Sequence, residues 1–137
     1  MNTPYGGKMK KLIIVVGLSL FLNAVAFAQS QQTQIIAVAT SNKTESSQIS
    51  DKAARAPYYL IFDKRGKLLE IVSNPFRDDD RGAGPKVADL LASKNVSVVV
   101  AGDFGDKMKS ALDKKKIDYH ETSGIVKSVV EDLIKSN

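Results

Sequence analysis

The sequence contains no cysteine, no tryptophan and a single histidine, His120. Without cysteine there is no disulfide, no thiolate nucleophile, no cysteine-ligated cluster and no lipid-modified lipoprotein cysteine. One histidine excludes a centre built from several imidazoles. Proline is sparse, with Pro4, Pro57, Pro75 and Pro85 as its only instances, so each is a strong punctuation mark. At 137 residues the chain has room for one ordinary domain and not for a two-domain enzyme. Hydrophobic residues at 43% and charged residues at 26% place it among globular rather than disordered chains.

The formal charge of +5 mixes two different objects. Residues 1–28 carry Lys8, Lys10 and Lys11, then the apolar run LIIVVGLSLFL over 12–22, then Ala26-Phe27-Ala28. A basic stretch, an apolar stretch of this length and small residues flanking Phe27 form a secretory signal, with cleavage expected after Ala28. A membrane anchor over 12–28 is disfavoured by its shortness and by Ser19 and Asn23. The sequence therefore predicts a signal peptide over 1–28 and a domain over 29–137, located in the periplasm or secreted, without stable membrane association after cleavage. Three of the twenty basic residues lie in the signal and none of the fifteen acids does, so the domain carries 17 against 15, or +2. That charge gives no warrant for nucleic-acid binding.

Within the domain, 34–40 (QIIAVAT) reads as a buried central strand. Residues 41–51 read as a polar loop, and 52–56 as one helical turn stopped by Pro57. Residues 58–62 and 68–72 form a hairpin around Asp63-Lys64-Arg65-Gly66. A long loop over 73–84 precedes a helix over 85–93, with Pro85 in its first turn and Val87, Leu90 and Leu91 as its apolar stripe. A second buried strand over 96–101, a helix over 106–115, a short strand over 117–120 and a last helix opened by Ser123-Gly124 follow. The hairpin is antiparallel, and the strand–helix–strand stretches call for parallel pairing through right-handed crossovers. The solution is a three-layer α/β/α domain with a mixed five-stranded sheet in the order 3-2-1-4-5. This resembles the ribonuclease H topology. Strands 1 and 4 then frame a crevice at their carboxyl ends.

Candidate chemistry concentrates on loops at that end. Gly102-Asp103-Phe104-Gly105 joins a strand to a helix, where backbone amides suit an anion; the same glycines can instead serve only the turn. Arg77 and Arg81 flank Asp78-Asp79-Asp80. The arginines could clamp an oxyanion and the acids a hard cation, but the spacing matches no calcium loop. No nucleophile–base–orienter set can be assembled around His120. The first strand holds no carboxylate, so the ribonuclease topology does not bring its chemistry. No catalytic residue and no metal ligand is predicted, and the chain is expected not to be an enzyme.

Several segments together resemble a known family. They are Ile36-Ala37-Val38-Ala39-Thr40, Arg55-Ala56-Pro57-Tyr58-Tyr59-Leu60-Ile61, Asn74-Pro75, Gly82-Ala83-Gly84, Val98-Val99-Val100-Ala101-Gly102, Phe104-Gly105 and Ser123-Gly124. The chain resembles the dinitrogenase iron–molybdenum cofactor biosynthesis domain of the NifX and NifB C-terminal type. The resemblance implies a three-layer α/β fold and non-covalent carriage of a molybdenum–sulfur or iron–sulfur cluster. It places such a ligand against Arg55, Arg81, Gly82, Gly84, Gly102, Phe104, Gly105, Ser123 and Gly124, and it implies a protein partner that donates or accepts the cluster.

The chain also departs from the family pattern. Lys52 stands where the family commonly has a histidine, Ala54 where it has a glycine, and Asp80-Arg81 precedes Gly82 where a second histidine is often found. Two readings follow. One is an exported non-catalytic domain that binds an anionic metal–sulfur species or oxyanion. The alternative is a ligand-free structural or protein-interaction module that keeps only the fold.

Overall fold

In the computed structural model the described residues are 33–137. The expected signal segment lies outside them. Five strands form one sheet in the order β3-β2-β1-β4-β5: β1 (Ile35–Thr40), β2 (Tyr58–Asp63), β3 (Leu68–Ser73), β4 (Val98–Ala101) and β5 (Asp118–Glu121). β1 pairs antiparallel with β2 and parallel with β4, β4 pairs parallel with β5, and β2 pairs antiparallel with β3. Ile36 lies against Val98 and Ala37 against Val99 in the parallel register. The expected order and mixed pairing are those observed.

Three helices, α1 (Ala83–Ser93), α2 (Asp106–Lys114) and α3 (Val126–Lys135), cover the sheet. A one-turn 3-10 segment, Ala53–Arg55, precedes β2. The alternation of side chains along β1 sorts the layers. Ala37 and Ala39 face Val87, Ala88 and Leu91 of α1 and Met108 and Leu112 of α2. Ile36 and Val38 face Val126 and Val130 of α3. Small residues lie under the two helices, and larger β-branched residues fill the side that one helix covers.

The hairpin turn is held by its first residue. Asp63 Oδ1 accepts the amides of Arg65 and Lys67, each at 2.9 Å. The Lys67 amide, followed by the Arg65 amide and the nearby positive charges, holds this carboxyl below its usual range.

Two strand starts differ from the sequence expectation for one reason. Val96 and Ile117 are not the first strand residues but the closing residues of helix ends. Their amides donate back to Leu91 O at 3.2 Å and Leu112 O at 3.0 Å, while Asn95 and Lys116 adopt left-handed φ of 60° and 57°. This is a helix-terminating motif with a buried apolar residue after the left-handed one, so β4 begins at Val98 and β5 at Asp118. The first helix also starts earlier than Pro85. Gly82, at φ 75°, precedes it, and Lys86 N donates to Gly82 O at 3.3 Å. Pro85 sits in the first turn, where its missing N–H has no intrahelical partner to lose. Gly84 is therefore helical rather than part of the loop.

Candidate functional site

The carboxyl ends of β1 and β4 do not frame an open crevice, because the chain's own segment 50–53 lies across them. Ser50 N donates to Ala39 O at 2.8 Å, Gly102 N to Ser50 O at 2.9 Å, and Ala53 N to Asp103 O at 2.9 Å. Lys52 and Asp103 form an isolated parallel bridge. A Cβ placed on Gly102 would lie 2.8 Å from both Cα and O of Asp51, and Gly102 is not among the glycines with positive φ. Glycine is needed here because another backbone packs against it, not because of a left-handed dihedral. Its amide is already bonded and does not face an anion.

A cleft of about 280 Å³ opens beside this seam. Its walls include Arg55, Gly82, Gly84, Phe104 and Gly105, so five of the nine expected site residues meet there. The other four do not line it. Gly102 is in the seam. Arg81 is exposed next to Gly82. Ser123 and Gly124 belong to the start of α3, where Ile49 N donates to Gly124 O at 2.9 Å.

The three helix starts have different fates. At α3, Val126 N donates to Ser47 O and Lys127 N to Glu45 O, both at 3.0 Å, so backbone carbonyls of another loop cap it. The starts of α1 and α2 have no side-chain cap, and both border the cleft. First-turn amides have no partner within their own helix and carry the positive end of its dipole. The two starts come close because Gly84 has no side chain: a Cβ there would lie 2.9 Å from Met108 Cβ. Lys107 adds a positive charge to the wall and Asp106 a negative one.

Arg55 is held by the protein itself. Its Nη1 donates to Arg77 O at 2.9 Å and to Asp79 O, pinning that loop. Asn74, only 4% exposed, does the same from the other side. Its Nδ2 donates to Ala54 O at 3.0 Å and Ala56 O at 2.9 Å, and its Oδ1 accepts Phe76 N at 3.0 Å. Asn74 is therefore the organising residue that sequence reasoning left without a role. An amide side chain at a strand end, directly before a proline, was the available signal. Two members of the aspartate triplet face basic side chains: Asp79 pairs with Lys86 at 2.7 Å and Asp78 with Arg77 at 3.6 Å. Among the described residues no group of three histidine, cysteine, aspartate or glutamate side chains is placed to hold a metal ion. His120 is exposed on β5, paired with Val100. A wider groove of about 530 Å³ continues from the cleft between the outer faces of α1 and α2, where Lys115 is tied to Asp89 at 2.7 Å.

A three-layer domain with this sheet, and a cleft between two helix starts that lack side-chain caps, defines a class of small α/β domains. The family described as dinitrogenase iron-molybdenum cofactor matches residues 34–136, and the chain belongs to that family. Among solved structures it is similar to a candidate NifB protein from Thermotoga, with 30% identity, 76% of this chain and 89% of that one covered, and a TM-score of 0.63. It is also similar in fold to the apo form of the orange protein (ORP) from Desulfovibrio gigas, with 23% identity, 78% and 92% covered, and a TM-score of 0.71. PH0822 shares the fold at 16% identity, with 76% and 93% covered and a TM-score of 0.65. No curated protein matches the chain.

Proposed function

We propose that this chain is a non-catalytic member of its family that keeps the fold while lacking side-chain ligands for a metal, and that it serves as a structural or protein-interaction module. The donor set of the cleft carries this reading: its wall holds one carboxylate, Asp106, one thioether, Met108, that is buried in the core, and no histidine. Side-chain coordination of a metal–sulfur cluster does not fit these residues. The chain's strand order is of the ribonuclease H type, with no carboxylate on β1. Its particular kinship is with the NifX and NifB C-terminal type, as a divergent and exported member. Elemental analysis and an absorption spectrum of protein purified from its native host test the reading. The expected result is no stoichiometric molybdenum, iron or copper and no visible charge-transfer band; a stoichiometric metal with such a band overturns it.

One observation favours a second reading. The uncapped starts of α1 and α2 border one cleft with Arg55 and Lys107. Amides and charges of this kind hold a compact anion without any side chain coordinating a metal. The cargo would then be an oxyanion or an anionic metal–sulfur species, passed to or from a partner protein. In an NMR titration with tetrathiomolybdate, the amides of Gly84, Gly105 and Lys107 should shift first. Gly102 should stay unmoved, because its amide is bonded to Ser50 O. Shifts confined to Lys114-Lys115-Lys116 would mean non-specific attraction and would remove the cleft as a site.

Export is part of the proposal. The basic stretch, apolar run and Ala26-Phe27-Ala28 support a cleaved signal over 1–28, a domain from Gln29 and a periplasmic or secreted location. Among the described residues no helix is long and apolar enough to cross a membrane. The intact mass of the protein from its native host should correspond to a chain beginning at Gln29. A soluble form that retains the 1–28 segment, whether begun at Met1 or at the second methionine, Met9, would remove the export claim.

A further inference from the structure

The two edges of the sheet are built differently. β5 has four residues, of which Asp118, His120 and Glu121 are ionisable, and Glu121 is paired with Lys109 at 2.8 Å. Charges and shortness of this kind discourage another strand from adding to an edge. β3 has six residues, LLEIVS, without lysine or proline. Its one charge, Glu70, is drawn to Lys94 at the end of α1 at 2.7 Å. Leu69 is 50% exposed and Ile71 41%; with Ile125 these are the exposed large hydrophobic residues among those described. Ile71 lies opposite Leu60, on the face that α3 covers, and that helix packs over Leu60, Phe62, Ile36 and Val38 without burying Ile71.

We infer that the outer edge of β3, unpaired among the described residues, pairs antiparallel with β3 of a second copy of this chain. The backbone spacing of a strand edge is self-complementary in the antiparallel sense, and a two-fold axis then keeps the α3 faces of both copies on one side. Charge chooses the register. Centring the pair on Glu70 would set two carboxylates opposite each other, which is destabilising. Centring it on Ile71 instead brings Ile71 against its own copy and Glu70 against the copy's Val72. The irregularity between Ile61 and Phe62 disturbs the ladder ahead of Glu70, so pairing is confined to the regular stretch near Ile71. An edge this short covers well under the roughly 800 Å² per partner of a stable complex, so the dimer is transient. This inference rests on the sheet edge and not on what fills the cleft.

Sedimentation of the protein from its native host, from about 10 μM to about 1 mM, covers the range of weak self-association. The expected result is a reversible monomer–dimer equilibrium, with slowed amide exchange in the concentrated sample at Ile71, whose N–H alternates with the β2-bonded amides and faces outward. Ile71→Lys should weaken the dimer about tenfold or more, by losing an apolar pair and opposing two charges. Ile125→Lys, away from β3, should leave it unchanged. A monomer throughout the range would overturn the inference and leave this edge to a different protein. Dimerisation without protection at Ile71 would overturn it equally, and that measurement needs no variant to fold.

Discussion

Gly102→Ala is expected to lower the melting temperature by about 10–20 °C, from about 2–3 kcal/mol of overpacking in a domain of this size. The new methyl would lie 2.8 Å from Asp51 Cα and Asp51 O, and both are backbone atoms that cannot rotate away. Relief requires lifting segment 50–53, which breaks the Gly102–Ser50 and Ala53–Asp103 hydrogen bonds. Gly105→Ala is the contrasting variant. Nothing lies within 4 Å of a Cβ there, but φ is +68° with ψ 156°, a region open essentially to glycine alone, so its cost is the dihedral alone, about 1–3 kcal/mol. Thermal unfolding followed by circular dichroism measures both losses, and amide exchange at Ala53 distinguishes them, since only Gly102→Ala disturbs its hydrogen bond to Asp103 O. A Gly102→Ala protein that melts within a degree or two of the parent, with Ala53 still protected, would show that the seam is not closely packed.

Asn74→Ala should cost about 3 kcal/mol, because it strips partners from Ala54 O, Ala56 O and Phe76 N around a side chain that is almost fully buried. The loss is structural, and it loosens the loop that Arg55 holds from the other side. Asn74→Asp is the sharper test, since it keeps the shape and replaces a donor by a carboxylate facing two carbonyl oxygens. Its ionised form is disfavoured in the fold, so its folded pKa lies above the ordinary value of about 3.9. The folded state then binds more protons than the unfolded one. The variant should be most stable below that ordinary value and lose stability as the pH rises through the raised pKa. Melting temperatures of the parent and both variants at pH 4 and pH 7 check this. Equal destabilisation of Asn74→Asp at the two values would mean that the side chain does not face those carbonyls.

Neither residue announced its role in the sequence, although both stand in the segments that carry the family resemblance. Gly102 was legible as a turn glycine at the end of a buried strand, but its neighbour Asp51 lies far away along the chain. Asn74 was legible as an amide before a proline, whereas its acceptors, Ala54 and Ala56, are set by the folding of a separate segment. The cleft followed the same rule. Arg55, Gly82, Gly84, Phe104 and Gly105 were candidates because arginine and turn glycines are recognisable locally, and five of nine converged. Ser123-Gly124 looked equivalent, yet the 45–47 loop supplies carbonyls to the α3 start and closes it.

The strand order, by contrast, was within reach of the chain alone. The apolar runs at 34–40 and 96–101, the Asp63 turn and the alternation of strands with amphipathic helices leave few arrangements once crossovers must be right-handed. Those features depend on residues a few positions apart, so they survive in a one-dimensional reading. Which helix starts stay uncapped, which backbone covers the ends of β1 and β4, and which sheet edge keeps exposed leucine and isoleucine depend on contacts between distant segments. Close packing settles those contacts only when the layers meet, because one backbone lying over Gly102 or one carbonyl reaching an amide decides whether a group faces a ligand or the protein itself.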